Sequence, residues 1–262
     1  MAEQFLPSGV EPPDFYVAAM GRSGSTMLSN WLASPPDRLV FHEPFFLRPQ
    51  NSRLLRIQLA ELGMAVSDED WAGRDETPAQ RFARLMAPRL QGRRWGLKEV
   101  LCEEHVRILD ALAPRKVLIA VRNIADVALS FFEKHRLQDN LDRFSDEWVE
   151  RYCIAESAGL VDYHRLLHAR AIPHHVVRYE DFIALEAERD AVARFVGWPG
   201  GGPTGDHFAA FDRAFEVERH GHSVSDQIRS RDHRSLNLTQ LRLSDIIAEQ
   251  CTDYQVEFGY IA

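Results

Sequence analysis

The chain has 262 residues, of which 45% are hydrophobic and 27% charged, and its formal net charge at pH 7 is −8. This composition is ordinary for a folded globular protein and excludes an intrinsically disordered chain. The acidic balance also argues against a general nucleic-acid-binding protein, so any anionic ligand must be held by a local cluster of donors.

Short apolar runs alternate with helical patterns along the chain. The runs, each a predicted strand, are residues 15–20, 39–41, 95–97, 117–121 and 176–177. Between them, three segments place apolar side chains three and four apart, as one buried helix face requires: residues 77–90, 103–113 and 124–135. Alternating strands and helices indicate crossover units and a mostly parallel sheet flanked by helices. The sequence therefore predicts an α/β fold.

The last third of the chain begins after a longer helical pattern. Residues 144–170 carry an aromatic and small-residue stripe at helical spacing, which we interpret as core, and residues 242–254 predict a final helix. The glycine- and proline-rich residues 197–206 indicate a surface connection. We expect one domain over residues 1–262, in which about residues 200–262 form a helical and loop extension.

The first apolar run ends in a turn with the sequence GRSGST. It supplies two glycines, three hydroxyls and one guanidinium, from Gly21, Arg22, Ser23, Gly24, Ser25 and Thr26. A turn between a parallel strand and a helix N-terminus presents free N–H groups and the positive end of the helix dipole. Glycine also permits backbone angles that other residues resist. The turn suits a phosphate or sulfate ester, and a turn without a ligand is the alternative.

The same turn departs from the nucleotide-binding P-loop. That motif has glycine, any four residues, then glycine, lysine and serine or threonine. When Gly24 and Thr26 are aligned with its last glycine and final hydroxyl, Ala19 replaces the first glycine and Ser25 replaces the lysine. An ordinary kinase or nucleoside triphosphatase is therefore disfavoured.

A second candidate anion site follows the strand at residues 117–121. Arg122 ends the strand, Asn123 is placed as a helix cap, and Ser130 lies within the next helix. A guanidinium and a hydroxyl in this arrangement can hold one further phosphate. The alternative is a surface arginine and an ordinary helix serine.

Together these segments resemble the sulfotransferases that use 3′-phosphoadenosine 5′-phosphosulfate (PAPS). Residues 21–26 resemble the 5′-phosphosulfate loop in its carbohydrate-type form, where arginine stands in place of lysine. Arg122 to Ser130 looks like the 3′-phosphate motif, and residues 176–181 are similar to a third family segment. The resemblance covers about residues 15–182. It implies a three-layer, P-loop-like α/β fold, PAPS as donor with adenosine 3′,5′-bisphosphate as product, and no required metal.

The resemblance also implies catalytic residues. Cytosolic members use a histidine two residues after a lysine, but here Val100 occupies that place after Lys98. Carbohydrate and tyrosyl-protein members instead carry a glutamate after the second strand, often followed by proline, and Glu43 matches it. Glu43 is therefore expected to deprotonate the acceptor, while Arg22 and Lys98 stabilise charge on the sulfonate and the departing 5′-phosphate. His42 is the alternative base, and pairing with a nearby arginine is the alternative role of Glu43.

Other residues carry weaker signals. Tyr179 is expected to contact the nucleotide or to pack, and Lys134 lies on the helix face of Ser130. A basic C-terminal stretch, either a cover over the 3′-phosphate or a solvated charge run, contains Arg229, Arg231 and Arg234. His164 and His168 have a spacing that can hold zinc, but the sequence shows no third ligand, so we predict no metal site.

The sequence therefore predicts a sulfotransferase that transfers a sulfuryl group from PAPS to a hydroxyl of a carbohydrate, lipid-linked or small-molecule acceptor. The alternatives are a nucleotide-dependent kinase, which would need magnesium and ATP, and a non-catalytic nucleotide-binding module. We expect no nucleic-acid partner. No stretch approaches the roughly 18 apolar residues of a membrane span, and the three dispersed cysteines have no disulfide or zinc spacing, so a cytoplasmic location is expected.

Overall fold

A computed structural model of the protein describes residues 5–33, 38–48, 53–72, 75–137, 139–140, 142–198 and 236–262. Its sheet has five parallel strands in the order β2-β3-β1-β4-β5. The strands are β1 (Phe15–Ala19), β2 (Arg38–His42), β3 (Arg94–Glu99), β4 (Val117–Val121) and β5 (His174–Arg178). All five predicted strands are confirmed. Three of them extend beyond their apolar runs, because ladder hydrogen bonds are made by the backbone whatever the side chain.

Helices join the strands and cover the sheet. They are α1 (Ser25–Leu32), α2 (Arg53–Glu61), α3 (Asp68–Trp71), α4 (Pro78–Leu85), α5 (Ala87–Leu90), α6 (Cys102–Leu112), α7 (Ile124–Leu137), α8 (Asp146–Ala169), α9 (Tyr179–Ala184), α10 (Glu186–Val196), α11 (Leu238–Gln250) and α12 (Thr252–Glu257). The predicted helix over residues 77–90 is divided at Met86, because Pro88 has no N–H with which to continue the ladder of α4. The predicted final helix is likewise two helices, divided at Cys251.

Two hydrophobic cores lie on the two faces of the sheet. Along β1, Tyr16 and Ala18 pack into one core, while Phe15, Val17 and Ala19 pack into the other. Every residue of β1 is fully buried, as expected for a central parallel strand covered on both faces. The first core is completed by helices that include α6, α7, α8 and α11, and the second by α1, α9 and α10. The predicted three-layer α/β fold is confirmed.

The parallel arrangement brings all five strand carboxyl ends to one edge of the sheet. The GRSGST turn, Glu43, Lys98, Arg122 and Tyr179 each lie at or next to one of these ends. Near the C-terminus, α11 packs against α7 and α8, and α12 packs against α8. Among the described helices, none combines the length and the apolar composition needed to cross a bilayer.

Candidate active site

The turn after β1 has no space for larger residues at its glycines. Gly24 caps α1 with a left-handed φ of 85°, and a Cβ added there would lie 2.2 Å from a ring carbon of Tyr179. A Cβ at Gly21 would lie 2.7 Å from the ring of Phe131. Arg22, between them, also has a left-handed φ, of 68°. Such a conformation costs a non-glycine residue about 1–3 kcal/mol and is typical of functional turns.

Tyr152 of α8 holds the start of the turn through a hydrogen bond. The Gly21 N–H donates to the Tyr152 hydroxyl at 3.0 Å. Burial raises the pKa of that hydroxyl, so it stays protonated at neutral pH. The sequence interpretation of residues 144–170 as core is correct for packing, since Trp148 stacks on Tyr152 with ring centroids 5.2 Å apart. It missed the hydroxyl, because helical periodicity identifies the buried face and not the polar partner of a distant turn.

The two predicted anion sites are in direct contact. Nε of Arg22 donates to Oγ of Ser130 at 3.0 Å, and Nη1 of Arg122 donates to the backbone carbonyl of Arg22 at 3.4 Å. These contacts join segments about a hundred residues apart, because β1 and β4 are adjacent parallel strands whose carboxyl ends lie side by side. The two sites therefore form one cationic surface at the sheet edge.

Arg122 is held by two tyrosines, Tyr179, which the sequence singled out, and Tyr254, which it did not. Its backbone N–H donates to the hydroxyl of Tyr254 at 3.2 Å, and that hydroxyl lies 3.0 Å from the Arg122 carbonyl, to which it donates. The guanidinium lies over the Tyr179 ring, 4.6 Å from its centroid. Within the described part of the chain, the buried Nε of Arg122 and the buried Oγ of Ser23 have no hydrogen-bond partner. Two buried donors are thus available at this surface, as a site for an anion requires.

A buried lysine connects the only carboxylate of the predicted catalytic set to the turn. Lys98 is 1% exposed, and its Nζ donates to Oε1 of Glu43 at 2.5 Å and to Oγ1 of Thr26 at 3.3 Å. The Glu43 side chain is 31% exposed. The carboxylate therefore combines an ion pair on one side with access to solvent on the other.

Glu99 supports the segment that carries Glu43. Glu43 and Phe45 both have left-handed φ angles, of 48° and 49°. The Glu43 N–H donates to the carbonyl of Lys98 at 2.7 Å, and the Phe45 N–H donates to Oε1 of Glu99, also at 2.7 Å. Burial raises the pKa of Glu99 well above its usual range, and the hydrogen bond from Phe45 opposes that shift. Glu99 thus fixes the strained segment between β2 and α2.

Of the remaining predicted basic residues, the structure describes only Lys134. Lys134 lies one turn beyond Ser130 on α7; burial lowers its pKa, the charge of Arg22 lowers it further, and Glu43 opposes both. It therefore belongs to the same charged cluster. The three predicted basic residues of the C-terminal stretch, Arg229, Arg231 and Arg234, lie outside the described residues.

The site combines several cations and buried donors with the accessible carboxylate of Glu43, which together can hold an anionic ester and accept a proton beside it. The chain is similar in fold to the sulfotransferase domain from the curacin biosynthetic pathway, with 17% identity, a TM-score of 0.52, and coverage of 95% of this chain and 98% of that one. It is also similar to the sulfotransferase STF9 from Mycobacterium avium, with 15% identity, a TM-score of 0.53, and coverage of 96% and 77%. No curated protein sequence matches it. The sulfotransferase family profile matches residues 13–199, and the chain belongs to the sulfotransferase family.

Proposed function

We propose that the protein transfers a sulfuryl group from PAPS to an acceptor hydroxyl. The observation that supports this most is the contact between the two anion sites, in which Arg22 reaches Ser130 and Arg122 reaches the Arg22 carbonyl. One nucleotide with phosphates on both sides of its ribose can then lie across both sites. A nucleoside triphosphate has its phosphates in a single chain on the 5′ oxygen and has no 3′-phosphate for the Arg122 site.

The turn and Lys98 would hold the 5′-phosphosulfate. The free backbone N–H groups at the start of α1, the unpartnered Ser23 hydroxyl and the side chain of Thr26 supply donors to the equatorial oxygens. The sequence of the turn lacks a lysine, but the ammonium of Lys98 reaches Thr26 from β3 and supplies that charge from a neighbouring strand. The residues present therefore fit the sulfonated end of PAPS.

Arg122, Ser130 and Tyr179 would hold the other end of the nucleotide. The unpartnered Nε of Arg122 can donate to a 3′-phosphate, and the Tyr254 hydroxyl fixes the backbone from which Arg122 projects. Lys134 adds positive charge on the same helix face as Ser130. Arg229 and Arg231 remain proposed contacts to the nucleotide.

Glu43 would act as the general base. It would take the proton of the acceptor hydroxyl as the acceptor oxygen forms its bond to sulfur, while the bond between sulfur and the 5′-phosphate oxygen breaks. Lys98 and Arg22 would stabilise the charge that develops on the sulfonate and the departing phosphate. Solvent access favours Glu43 over His42 as the base. The Glu43 side chain is 31% exposed, whereas His42 is buried, with 3% of the residue exposed.

The acceptor is proposed only as a class, a hydroxyl compound. The Glu43–Pro44 sequence resembles carbohydrate-type members and favours a carbohydrate, while lipid-linked and small-molecule acceptors remain within the proposal. The surface available to it is the side of Glu43 that faces solvent.

A transfer assay tests the function. The purified protein is incubated with PAPS labelled in the sulfonate and a panel of carbohydrate, lipid-linked and small-molecule hydroxyl compounds, in buffer containing EDTA. We expect label to pass to at least one acceptor without added metal. A parallel reaction with labelled ATP and magnesium tests the kinase alternative. Phosphate transfer from ATP without sulfonate transfer from PAPS would contradict the proposal, and binding of PAPS without transfer to any acceptor would favour a non-catalytic module.

A further inference from the structure

Three histidines converge at the edge of the sheet opposite the active site. His164 and His168 lie in the last turns of α8, and His174 begins β5. Nε2 of His168 lies 3.1 Å from Nε2 of His164 and 3.2 Å from Nε2 of His174. One nitrogen from each ring lies within 4.8 Å of the other two. No third ligand is apparent in the sequence beside His164 and His168, and the structure places His174 next to them.

The hydrogen bonds of the other ring nitrogens determine what these Nε2 atoms offer. Nδ1 of His164 lies 2.8 Å from a carboxylate oxygen of Glu257, and Nδ1 of His174 lies 2.8 Å from the carbonyl of Ile172. Both partners are acceptors, so each Nδ1 carries the proton in the neutral ring and each Nε2 carries a lone pair. His168 Nε2 can donate a proton to only one of the two at a time. Among the described residues, at least one lone pair in the cluster therefore receives no hydrogen bond from another histidine of the cluster.

We propose that His164, His168 and His174 bind a divalent transition-metal ion through their Nε2 atoms, with zinc the best match. Zinc–nitrogen bonds of about 2.0–2.1 Å in tetrahedral geometry place neighbouring ligand nitrogens about 3.3 Å apart. The observed separations of 3.1 and 3.2 Å are close to that value. A single ion at this point would bind the Nε2 lone pairs, which the one proton on Nε2 of His168 cannot all satisfy.

The surroundings of the cluster are also those of a metal site. Metal-binding histidines usually donate their second N–H to a carboxylate or a carbonyl, which orients the ring. Glu257 and the Ile172 carbonyl play these parts, and Glu257 is itself held by Nε of Arg165 at 3.1 Å. His168 is exposed, so an ion can enter from solvent and keep a water or another ligand in the fourth position.

The ion would be structural with respect to sulfuryl transfer. The length of β5, about 13 Å, separates His174 from Arg178, the residue before Tyr179 at the carboxyl edge of the sheet. The ion would link the end of α8 to the start of β5 and, through Glu257, to the C-terminal helix α12. We expect it to raise the melting temperature and to leave the chemistry of the other edge unchanged.

The test uses the full chain without a histidine tag, stripped with EDTA and dialysed against micromolar Zn²⁺. Elemental analysis should find one tightly bound Zn²⁺ per chain. His168→Ala, at an exposed position, should weaken the affinity for Zn²⁺ by about 100-fold or more, and Glu257→Gln by about 10- to 100-fold. Saturating Zn²⁺ should raise the melting temperature of the wild type by about 5 °C or more.

His175→Gln is the matched control. His175 is the next residue of β5 but pairs with Glu188, at 2.9 Å, and is not part of the cluster. This variant should bind Zn²⁺ as the wild type does. Failure of the stripped wild type to bind Zn²⁺, or equal binding by the wild type and His168→Ala, would overturn the proposal.

Discussion

Glu43→Gln is expected to lower the rate of sulfonate transfer by about 10²- to 10⁴-fold, the usual contribution of a general base. Glutamine keeps an oxygen that can accept from Nζ of Lys98, which lies 2.5 Å from Oε1 of Glu43, so the buried ammonium retains a partner. The variant loses the ability to take a proton together with one negative charge beside the anion site. The affinity for adenosine 3′,5′-bisphosphate should therefore not decrease while kcat falls.

Steady-state kinetics and calorimetry on the same preparation measure the two quantities. Glu11→Gln is the control, since this carboxylate is 74% exposed and pairs with Arg115, and both residues precede the strands β1 and β4 rather than follow them. It should have wild-type kcat. Full activity of Glu43→Gln would show that another group, with His42 the first candidate, takes the proton.

Lys98→Met is expected to lower kcat by about 10²- to 10³-fold, the range seen when one donor to a developing negative charge is removed. Lys98 is 1% exposed, and a charge in so dry a position acts strongly on its neighbours. Methionine is similar in length and apolar, so it can fill the space without leaving an unpaired charge there. Glu43 can then be solvated, because its side chain is 31% exposed.

Lys116→Met is the control that separates an effect of Lys98→Met on catalysis from an effect on stability. Lys116 is partly buried, donates to the carbonyl of Phe195 and lies at the opposite end of β4 from Arg122. Both variants should unfold at lower temperature, but only Lys98→Met should lose kcat. A rise in KM with unchanged kcat in Lys98→Met would mean that Lys98 binds the ground state and the transition state equally, contrary to the proposed role.

Much of the fold follows from local pattern. Each strand is a short apolar run and each crossover has a helical period, so element type and the parallel class could be predicted. The order of the strands could not, because β1 pairs with β3 and β4 through crossovers whose direction is not written in the periodicity. The predicted helix ends were wrong where a single proline or a single N-cap residue sets the end, as at Pro88 and Asn237.

The candidate site was also predictable from the sequence only in part. Arg22 and Arg122 were found because each directly follows a predicted parallel strand, where carboxyl ends come together, whereas Glu43 was implied by the family resemblance. Tyr152 and Tyr254 were missed, since their hydroxyls meet Gly21 and Arg122 across 131 and 132 residues of chain. No local pattern distinguishes a tyrosine of this kind from one that only packs.

Calorimetric titration with adenosine 3′,5′-bisphosphate and with adenosine 5′-monophosphate, without magnesium, tests most directly whether one nucleotide spans both anion sites. The wild type should bind the bisphosphate about 10- to 100-fold more tightly, which corresponds to about 1.5–3 kcal/mol for hydrogen bonds to a charged group. Arg122→Ala should abolish that preference, while Arg115→Ala, at an arginine whose side chain is 54% exposed and paired with Glu11, should keep it. Equal affinities of the wild type for the two nucleotides would contradict the account.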